Sequence, residues 1–355
     1  MILDRYVARS IASHAATALA GLILLVASFS FLEQQDDIGQ GRYTLGLAAV
    51  RTVLLIPSWM ADFAGLAVLL GTLTGFGQLQ QGSEITAMRS AGYTVTRLVS
   101  VAMSAGALVA IVATLIGELA GPNLSELAAR LKTESRMGTA NSTQPGAWWT
   151  RDGARIVSVE RSGASTAVTV FDLGPTGLLD AVTTTKQRPL VVENGVRMLH
   201  AAATRYTESG TTTQHSTSLL IPGEPLRALL RIAEDQTSYP SLPELAERAG
   251  VLASAGLDAR LARFDMHSRI ARLFVAPLLA AIAVLASLTG LRAARQGARL
   301  VLGLAVGLIL ALLRDLARSS VLVFDWTSAP AAWVPVVTSV AVLGAMLFVR
   351  SRVKV

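Results

Sequence analysis

The chain of 355 residues is 52% hydrophobic and 15% charged, carries a net charge of +7 and has a mean hydropathy of +0.51. This composition excludes an ordinary soluble protein, because apolar residues are too frequent and charged ones too scarce. The sequence has no cysteine, which excludes disulfides, thiolate metal sites and a cysteine nucleophile. It also lacks a G-x-x-x-x-G-K-[ST] loop, an H-E-x-x-H metal motif and a G-x-S-x-G elbow, so we predict no nucleotide hydrolysis by the chain itself.

Six apolar stretches are long enough to cross a hydrocarbon core about 30 Å thick, which takes about 20 residues of helix. They are Ile11–Leu32, Val53–Phe76, Leu98–Leu119, Ile270–Leu291, Leu300–Ala317 and Ala331–Val349. The first has no A-x-A-like cleavage site and is followed by further apolar stretches, so we interpret it as a span and not as a signal peptide.

Basic residues cluster in four segments that share one side of the membrane if both termini do. These residues are Arg5, Arg9, Arg89, Arg97, Arg292, Arg295, Arg299, Arg350, Arg352 and Lys354. An excess of Lys and Arg in loops marks the cytoplasmic face. We therefore interpret the positive charge as a topology signal and not as a nucleic-acid-binding surface.

Two carboxylates fall in or beside the predicted spans. Asp62 is either a cavity residue or, as we favour, an interfacial carboxylate of a helix that begins at Pro57. Glu118 precedes Gly121-Pro122, so we interpret it as the polar end of the third span.

A short polar segment, residues 77–94, separates the second and third spans and has the termini of a helix. Ser83 is a favourable N-cap, because its hydroxyl can accept a hydrogen bond from a first-turn N–H. Glu84 follows where the helix dipole favours negative charge, and Gly92 suits the left-handed residue after a helix. The sequence therefore predicts a well-formed helix over residues 83–92.

The apolar positions of this segment, Ile85, Met88 and Ala91, recur at three-residue spacing and make a small stripe on the predicted helix. A helix that lies on lipid headgroups is usually rich in Lys and Arg, whereas this one has only Arg89. We expect it to dock into a groove of a partner protein, with an interfacial helix as the alternative.

Between the third and fourth spans, residues 145–222 are rich in Thr, Val and Gly, with runs such as "ARIVSVER" and "TAVTVFDL" that are typical of strands. Asp152-Gly153 and Asn194-Gly195 predict hairpin turns. These features predict an all-β sandwich outside the membrane. Ser241 then predicts an N-cap, with Pro243 in the first turn of a helix that leads to the fourth span.

The predicted fold is a membrane protein with six transmembrane helices, arranged 3+3, and an inserted all-β domain. We expect a first membrane half over residues 1–121, a β-domain with connecting helices over residues 122–268 and a second membrane half over residues 269–355. This layout is typical of a half-transporter or of an anchored assembly factor.

Several segments, taken in order, resemble the LptF/LptG permeases of the lipopolysaccharide-export ABC transporter, and the LptG branch most. They are "LDRY" at 3–6, "GQGRYTL" at 39–45, "LLGTLTGFGQLQQGSEITAMRSAGYT" at 69–94, "GELAGP" at 117–122, "GAWWTRDGARIVSVER" at 146–161 and "LRAARQGARLVLGL" at 291–304. The block at 69–94 is the most specific of them.

This resemblance implies a non-catalytic transport subunit of a bacterial inner membrane, with cytoplasmic termini and a periplasmic β-jellyroll. It implies pairing with an LptF-like paralogue, a dimer of an LptB-like ATPase that uses the ATP, an LptC-like single-span subunit and an LptA-like periplasmic bridge. The implied ligand is lipopolysaccharide, and no cofactor is implied in this chain.

The resemblance also assigns roles to residues. The 83–92 helix matches the family's coupling helix, which we expect to use Ser83, Glu84, Met88 and Gly92 against the ATPase. Glu84 matches the acidic residue that pairs with a basic residue of that ATPase.

The candidate substrate contacts match the family less closely. Lys132 matches a basic position after the third span, with Arg136 nearby, but Asp36 and Asp37 stand where the family has lysines. Two carboxylates cannot hold a phosphate without a bridging divalent cation. Either the chain binds a lipid A with a different charge, or the lipid A phosphates meet relocated cations.

Arg314 and Arg318, near the outer end of the fifth span, are the candidates for this relocation. The alternative, which we slightly favour, is that Arg314 and Asp315 take part in ion pairs between helices. Phe29, Phe31 and Phe76 are candidates for acyl-chain contacts, although aromatic residues near span ends are most often packing residues.

Two other functions remain open from the sequence. One is a non-transporting membrane scaffold whose β-domain binds a periplasmic partner, and the other is the LptF-type paralogue of the same transporter. An intramembrane hydrolase is a poor candidate, because the spans offer no Ser/His/Asp set.

Overall fold

The computed structural model describes residues 2–136, 147–152, 154–162, 165–174, 178–185, 190–192, 195–207, 210–222, 239–254, 258–289, 296–324 and 326–352. Within these ranges the helices are α1 (Ile2–Leu32), α2 (Leu45–Leu54), α3 (Ile56–Gln81), α4 (Glu84–Ser90), α5 (Val95–Arg136), α6 (Leu242–Ser254), α7 (Arg260–Thr289), α8 (Gln296–Val323), α9 (Ser328–Ala332) and α10 (Val334–Arg352). The strands are β1 (Ala147–Asp152), β2 (Arg155–Ser162), β3 (Ser165–Leu173), β4 (Leu179–Thr185), β5 (Leu190–Val192), β6 (Gly195–Thr207) and β7 (Gly210–Pro222).

The long apolar runs fold as helices, as expected. In the described ranges, α1, α3, α5, α7 and α8 are long and apolar enough to cross a membrane. The sixth expected span is α10, which is also apolar but shorter, with 19 residues. Three of these six apolar helices, α1, α3 and α5, therefore precede the inserted sheet, and the other three follow it. The basic residues Arg292, Arg295 and Lys354 lie outside the described residues.

Helix α3 is the centre of the bundle and packs against α1, α5, α7 and α8. Glycines allow its closest contacts, as is common between membrane helices. A Cβ on Gly71 would lie only 2.3 Å from the Cα of Ala15 in α1, and a Cβ on Gly117 of α5 only 2.5 Å from the Cβ of Ala61. By contrast, α1 and α8 bury only a small share of their apolar windows inside this chain.

Helix α5 has 42 residues and contains Pro122, so it is roughly 63 Å long at about 1.5 Å per residue. It therefore extends well beyond a hydrocarbon core of about 30 Å. The expected boundary at residues 121/122 lies inside this helix. The helix continues for more than four turns beyond Glu118, so this residue lies inside α5, and its position at the end of the membrane-crossing part stays a prediction.

All seven described strands belong to one antiparallel sheet, in which β1-β2-β3-β4-β6 are successive neighbours and β5 and β7 both pair with β6. The pairs Asp152↔Arg155 and Val192↔Gly195 show that antiparallel strands meet next to both expected turns, although Gly153 and Asn194 lie outside the described residues. The core of the sheet is formed by small and β-branched residues, namely Val157, Val168, Val170, Val196, Met198, Ala201 and Ile221.

Helix α6 leads from the sheet back to the membrane helices and begins with a capping box. The backbone N–H of Ser241 donates to Glu244 Oε2 at 2.9 Å, and the N–H of Glu244 donates to Ser241 Oγ at 3.4 Å. The expected N-cap at Ser241 is confirmed.

Candidate functional site

The short helix α4 is attached to the rest of the bundle by its apolar face. Ile85 and Met88 are 2% and 6% exposed and pack in one cluster with Phe76 and Leu98. The apolar stripe therefore faces this chain itself, and the polar face of α4 is the one available to a partner. Glu84 lies on the partly exposed side, where its carboxylate interacts with the hydroxyl of Tyr6 in α1.

The helix begins differently from the sequence expectation. Ser83 occupies the N-cap position, but its side chain makes no capping hydrogen bond and its φ is +59°. A capping hydroxyl normally requires an extended backbone at the N-cap, and the chain has only Gly82 and Ser83 in which to turn from α3 into α4. The prediction of a side-chain cap at Ser83 is therefore wrong.

The end of α4 agrees with the expectation. Gly92 has a φ of +88°, in the left-handed region. Its N–H donates to the carbonyl of Arg89 at 3.1 Å, and the N–H of Tyr93 donates to the carbonyl of Met88 at 2.9 Å. These two bonds form a Schellman motif, which satisfies the last carbonyls of the helix.

A polar cluster next to this motif joins α4 to the beginning of α1. The hydroxyl of Tyr93 donates to Asp4 Oδ1, and Arg97 donates to the same carboxylate through Nε at 2.9 Å and Nη2 at 2.7 Å. Burial, together with the bond to Asp4, raises the pKa of Tyr93 to about 12. The tyrosine therefore keeps its proton, and its hydrogen bond, throughout the physiological pH range.

A charged cavity of about 350 Å³ lies among α3, α5, α7 and α8. Asp62 of α3 and Arg272 of α7 line it and form an ion pair with each other. Asp62 thus lines a cavity, as one of the two interpretations expected. Helix α3 begins at Ile56, next to the Pro57 start on which the interfacial interpretation depended, so that condition is met as well.

Arg314 of α8 also lines this cavity, and its Nε is buried without a hydrogen-bond partner in the described part of the chain. The neighbouring Asp315 is exposed and also lines the cavity. Among the described residues, neither Arg314 nor Asp315 forms a salt bridge with another helix, so the favoured ion-pair interpretation is not supported. Arg318, one turn further, donates to Asp265 at 3.4 Å outside the cavity. The structure thus separates two arginines that the sequence placed together.

The remaining candidate residues lie elsewhere. Lys132 pairs with Asp37 at 2.5 Å, so the unexpected carboxylate neutralises the expected cation. Arg136 is the last residue of α5, and its side chain lies outside the description. Phe31 lines a small groove between α1 and α2, whereas Phe29 is 60% exposed on the outer face of α1.

Sequence reasoning missed a second buried ion pair, which connects the two halves of the chain. Glu118 of α5 accepts from Arg269 Nη1 of α7 at 2.7 Å and from the backbone N–H of Leu242 at 2.9 Å. The guanidinium of Arg269 lies 3.9 Å from the ring centroid of Tyr239. Burial raises the pKa of Tyr239. The sequence did contain a signal for this pair, namely a carboxylate, Glu118, and an arginine, Arg269, in or next to two apolar spans.

Comparison with known proteins accounts for this arrangement of helices and sheet. The family model described as "Lipopolysaccharide export system permease LptF/LptG" matches residues 5–350. The "Lipopolysaccharide export system permease protein LptG" of Escherichia coli is 31% identical over 161 residues, which cover 45% of this chain and 44% of the relative. The protein of the same name from Haemophilus influenzae is 30% identical over 159 residues, with the same coverage. The aligned segments thus span less than half the length of these relatives. The match to the family model extends over nearly the whole chain, which therefore belongs to the LptF/LptG family of lipopolysaccharide export permeases.

Proposed function

We propose that this chain is the LptG-type subunit of an exporter that takes lipopolysaccharide from the inner membrane and passes it to a periplasmic bridge. In this proposal both termini and α4 are in the cytoplasm, and the antiparallel sheet is in the periplasm. The proposal is supported by the family match, by two curated relatives that carry the LptG name and by the distribution of basic residues between the spans.

The proposed assembly contains an LptF-like paralogue beside this chain and a dimer of an LptB-like ATPase below it. An LptC-like single-span subunit and an LptA-like bridge complete the path. The weakly buried faces of α1 and α8 leave apolar surface for such subunits and for lipid. ATP is hydrolysed by the ATPase, and this chain converts that work into movement of the lipid.

The observation that carries the coupling part of the proposal is the attachment of α4. One face of the helix is buried in the chain's own core and its end is fixed by the Schellman motif, while Glu84 remains accessible in the first turn. A push on Glu84 from outside is therefore transmitted to α1 and α5 and not absorbed by a loose loop. A carboxylate at a helix N-terminus is also well placed to receive an arginine of a partner.

The test is a comparison of Glu84→Ala with Ser90→Ala, an exposed residue of the same helix whose hydroxyl bonds only to the carbonyl of Ala87. We expect Glu84→Ala to reduce ATPase copurification about tenfold and to abolish growth complementation, since loss of one partner of an interfacial charge pair is costly. Ser90→Ala should behave as wild type. Unchanged copurification and complementation with Glu84→Ala would refute the assignment of α4.

For the substrate, we propose that the charged cavity receives a phosphate of lipid A through Arg314. The support is a buried guanidinium nitrogen of Arg314 that has no partner among the described residues, in a cavity where Asp62 already pairs with Arg272. Asp315 also lines the cavity, but its side chain is exposed. A buried donor without an acceptor is unfavourable, so an incoming phosphate would gain a charge-assisted bond there. Lys132 contributes less to phosphate binding in this proposal, because its ammonium group already pairs with Asp37.

A further inference from the structure

A second cavity, of about 620 Å³, lies at the opposite end of the bundle from the inserted sheet, beside the end of α4. We name it the two-arginine cavity, because Arg89 of α4 and Arg350 of α10 line it. Its remaining wall includes Val99 of α5, Leu285 of α7 and Leu347 of α10. The cavity therefore combines cations with the apolar surface of three membrane helices.

The charge of this cavity is not compensated by its own lining. None of the described lining residues is acidic. Nη1 of Arg350 is buried and has no hydrogen-bond partner in the part of the chain that the structure describes. A buried guanidinium donor without an acceptor is rare in folded proteins, because such groups are normally hydrogen-bonded. The site is thus incomplete without an anionic oxygen.

Two neighbouring arginines have partners among the described residues. Arg97 forms the bidentate pair with Asp4, and Arg352 lies over the ring of Phe348, with 4.7 Å between its Cζ and the ring centroid. This end of the molecule is therefore basic in general, but the buried guanidinium nitrogen without a partner, Nη1 of Arg350, lies at the cavity. Arg352 provides a matched control for Arg350, being two residues away on the same helix without lining the cavity.

The apolar wall decides what kind of anion fits. Leu347 of α10 is 49% exposed and Val99 of α5 is half-buried, whereas Leu285 is almost completely buried. Leu347 and Val99 lie on spans, so the open apolar part of the wall continues toward the region where acyl chains pack. An inorganic phosphate or an acidic peptide would leave this surface uncovered. A phospholipid places its phosphate at the arginines and its acyl chains along the helices.

We propose that the two-arginine cavity binds the headgroup phosphate of an anionic phospholipid of the surrounding membrane. The phosphate bridges Arg89 of the coupling helix and Arg350 of the last span, and thereby links the polar face of α4 to α10. This lipid is not the transported substrate, because the cavity lies at the other end of the bundle from Arg314. The proposed topology places this cavity at the cytoplasmic leaflet, where anionic lipids attract basic residues. The binding of a lipid phosphate itself does not depend on that topology.

The experiment is native mass spectrometry of the full-length chain, purified with its bound subunits, delipidated, and titrated with phosphatidylglycerol or phosphatidylcholine. We expect one site that prefers phosphatidylglycerol. Its affinity should fall about tenfold in Arg350→Ala and less in Arg89→Ala, whose side chain is exposed. Arg350→Lys keeps the charge and should retain most of the binding, which separates loss of the site from loss of the fold.

Three results would overturn the proposal. Equal weakening by Arg352→Ala would mean a general effect of surface charge. Competition by glycerol 3-phosphate at the same concentration as the lipid would mean a site for free anions. Unchanged lipid binding in the Arg89→Ala and Arg350→Ala variants, together with loss of the ATPase, would mean that the cavity receives a protein. Lipid binding is measured without transport, so its failure is distinct from failure of the transport function.

Discussion

At the scale of single residues, two carboxylates of the described bundle are paired with arginines of another helix, whereas Arg314 is not. The carboxylates of Asp62 and Glu118 each meet an arginine from α7, on residues Arg272 and Arg269. A charge inside a membrane is costly, and such residues therefore face a partner or a cavity. Arg314 is different, because it reaches the same cavity as Asp62 without an ion pair of its own. The two ion pairs therefore hold helices together, whereas the charge of Arg314 is available to a ligand.

The pair between Asp62 and Arg272 should be structural. Arg272→Ala leaves the carboxylate without its partner, and we expect the free energy of unfolding to fall by about 1–3 kcal/mol, since the pair is only partly screened by solvent. The double variant Asp62→Ala/Arg272→Ala should recover part of that loss, because it removes the uncompensated charge. Thermal unfolding of Asp62→Ala, Arg272→Ala and the double variant in detergent measures both effects. Simple addition of the two single effects would contradict a direct pair.

Arg314 should instead affect the ligand. We expect Arg314→Glu to reduce photo-crosslinking of lipopolysaccharide to the cavity at least about tenfold, because a carboxylate repels a phosphate, while Arg314→Lys retains most of it. Arg260→Glu is the control, since Arg260 pairs with Asp258 outside the cavity and this exchange changes the net charge by the same amount. Equal crosslinking in wild type and Arg314→Glu would exclude Arg314 from the substrate path.

At the scale of elements, α4 shows what a sequence can predict and what it cannot. Gly92 and Glu84 were predictable, because a left-handed C-terminal residue and a first-turn carboxylate follow from the local geometry of any helix. Ser83 was not, because its backbone is set by the sharp connection to α3 and not by its own capping preference. The direction of the apolar stripe was also hidden, since only the packing of Phe76 and Leu98 decides which way Ile85 faces.

The Schellman end makes Gly92 a sensitive position. Gly92→Ala forces a Cβ into the left-handed region, which costs about 1–2 kcal/mol, and should loosen the end of α4. We expect faster hydrogen exchange at the amide of Tyr93, whose bond to Met88 closes the motif, and weaker coupling of ATP hydrolysis to transport. Gly82→Ala is the control at the other end of the helix, where φ is −72° and alanine fits without strain. Similar exchange rates in the two variants would show that the motif does not hold the helix.

At the scale of the whole molecule, the six apolar helices and the inserted sheet could be predicted, because hydropathy and strand patterning are local properties of the sequence. The contacts between the halves could not. Glu118 and Arg269 are 151 positions apart and Glu118 and Leu242 are 124 apart, so no local pattern relates them. The same holds for the cavity, which forms only when α3, α7 and α8 pack together. The contacts between the first three and the last three membrane helices are therefore visible only in the folded structure.

Glu118 is the residue where this long-range arrangement can be tested. It holds both the guanidinium of Arg269 and the first backbone N–H of α6, the helix that returns from the sheet. Glu118→Ala leaves Arg269 buried without its carboxylate, and we expect a loss of about 3 kcal/mol of stability and faster hydrogen exchange at Leu242. Glu118→Gln keeps an acceptor for Leu242 and should fall between wild type and Glu118→Ala. Glu126→Ala, on the same helix, breaks only an exposed pair with Arg130 and should change stability by less than about 1 kcal/mol. If Glu118→Ala and Glu126→Ala have the same unfolding midpoint and the same exchange at Leu242, the returning helix is held by other contacts and the sheet is not linked to the membrane helices through Glu118.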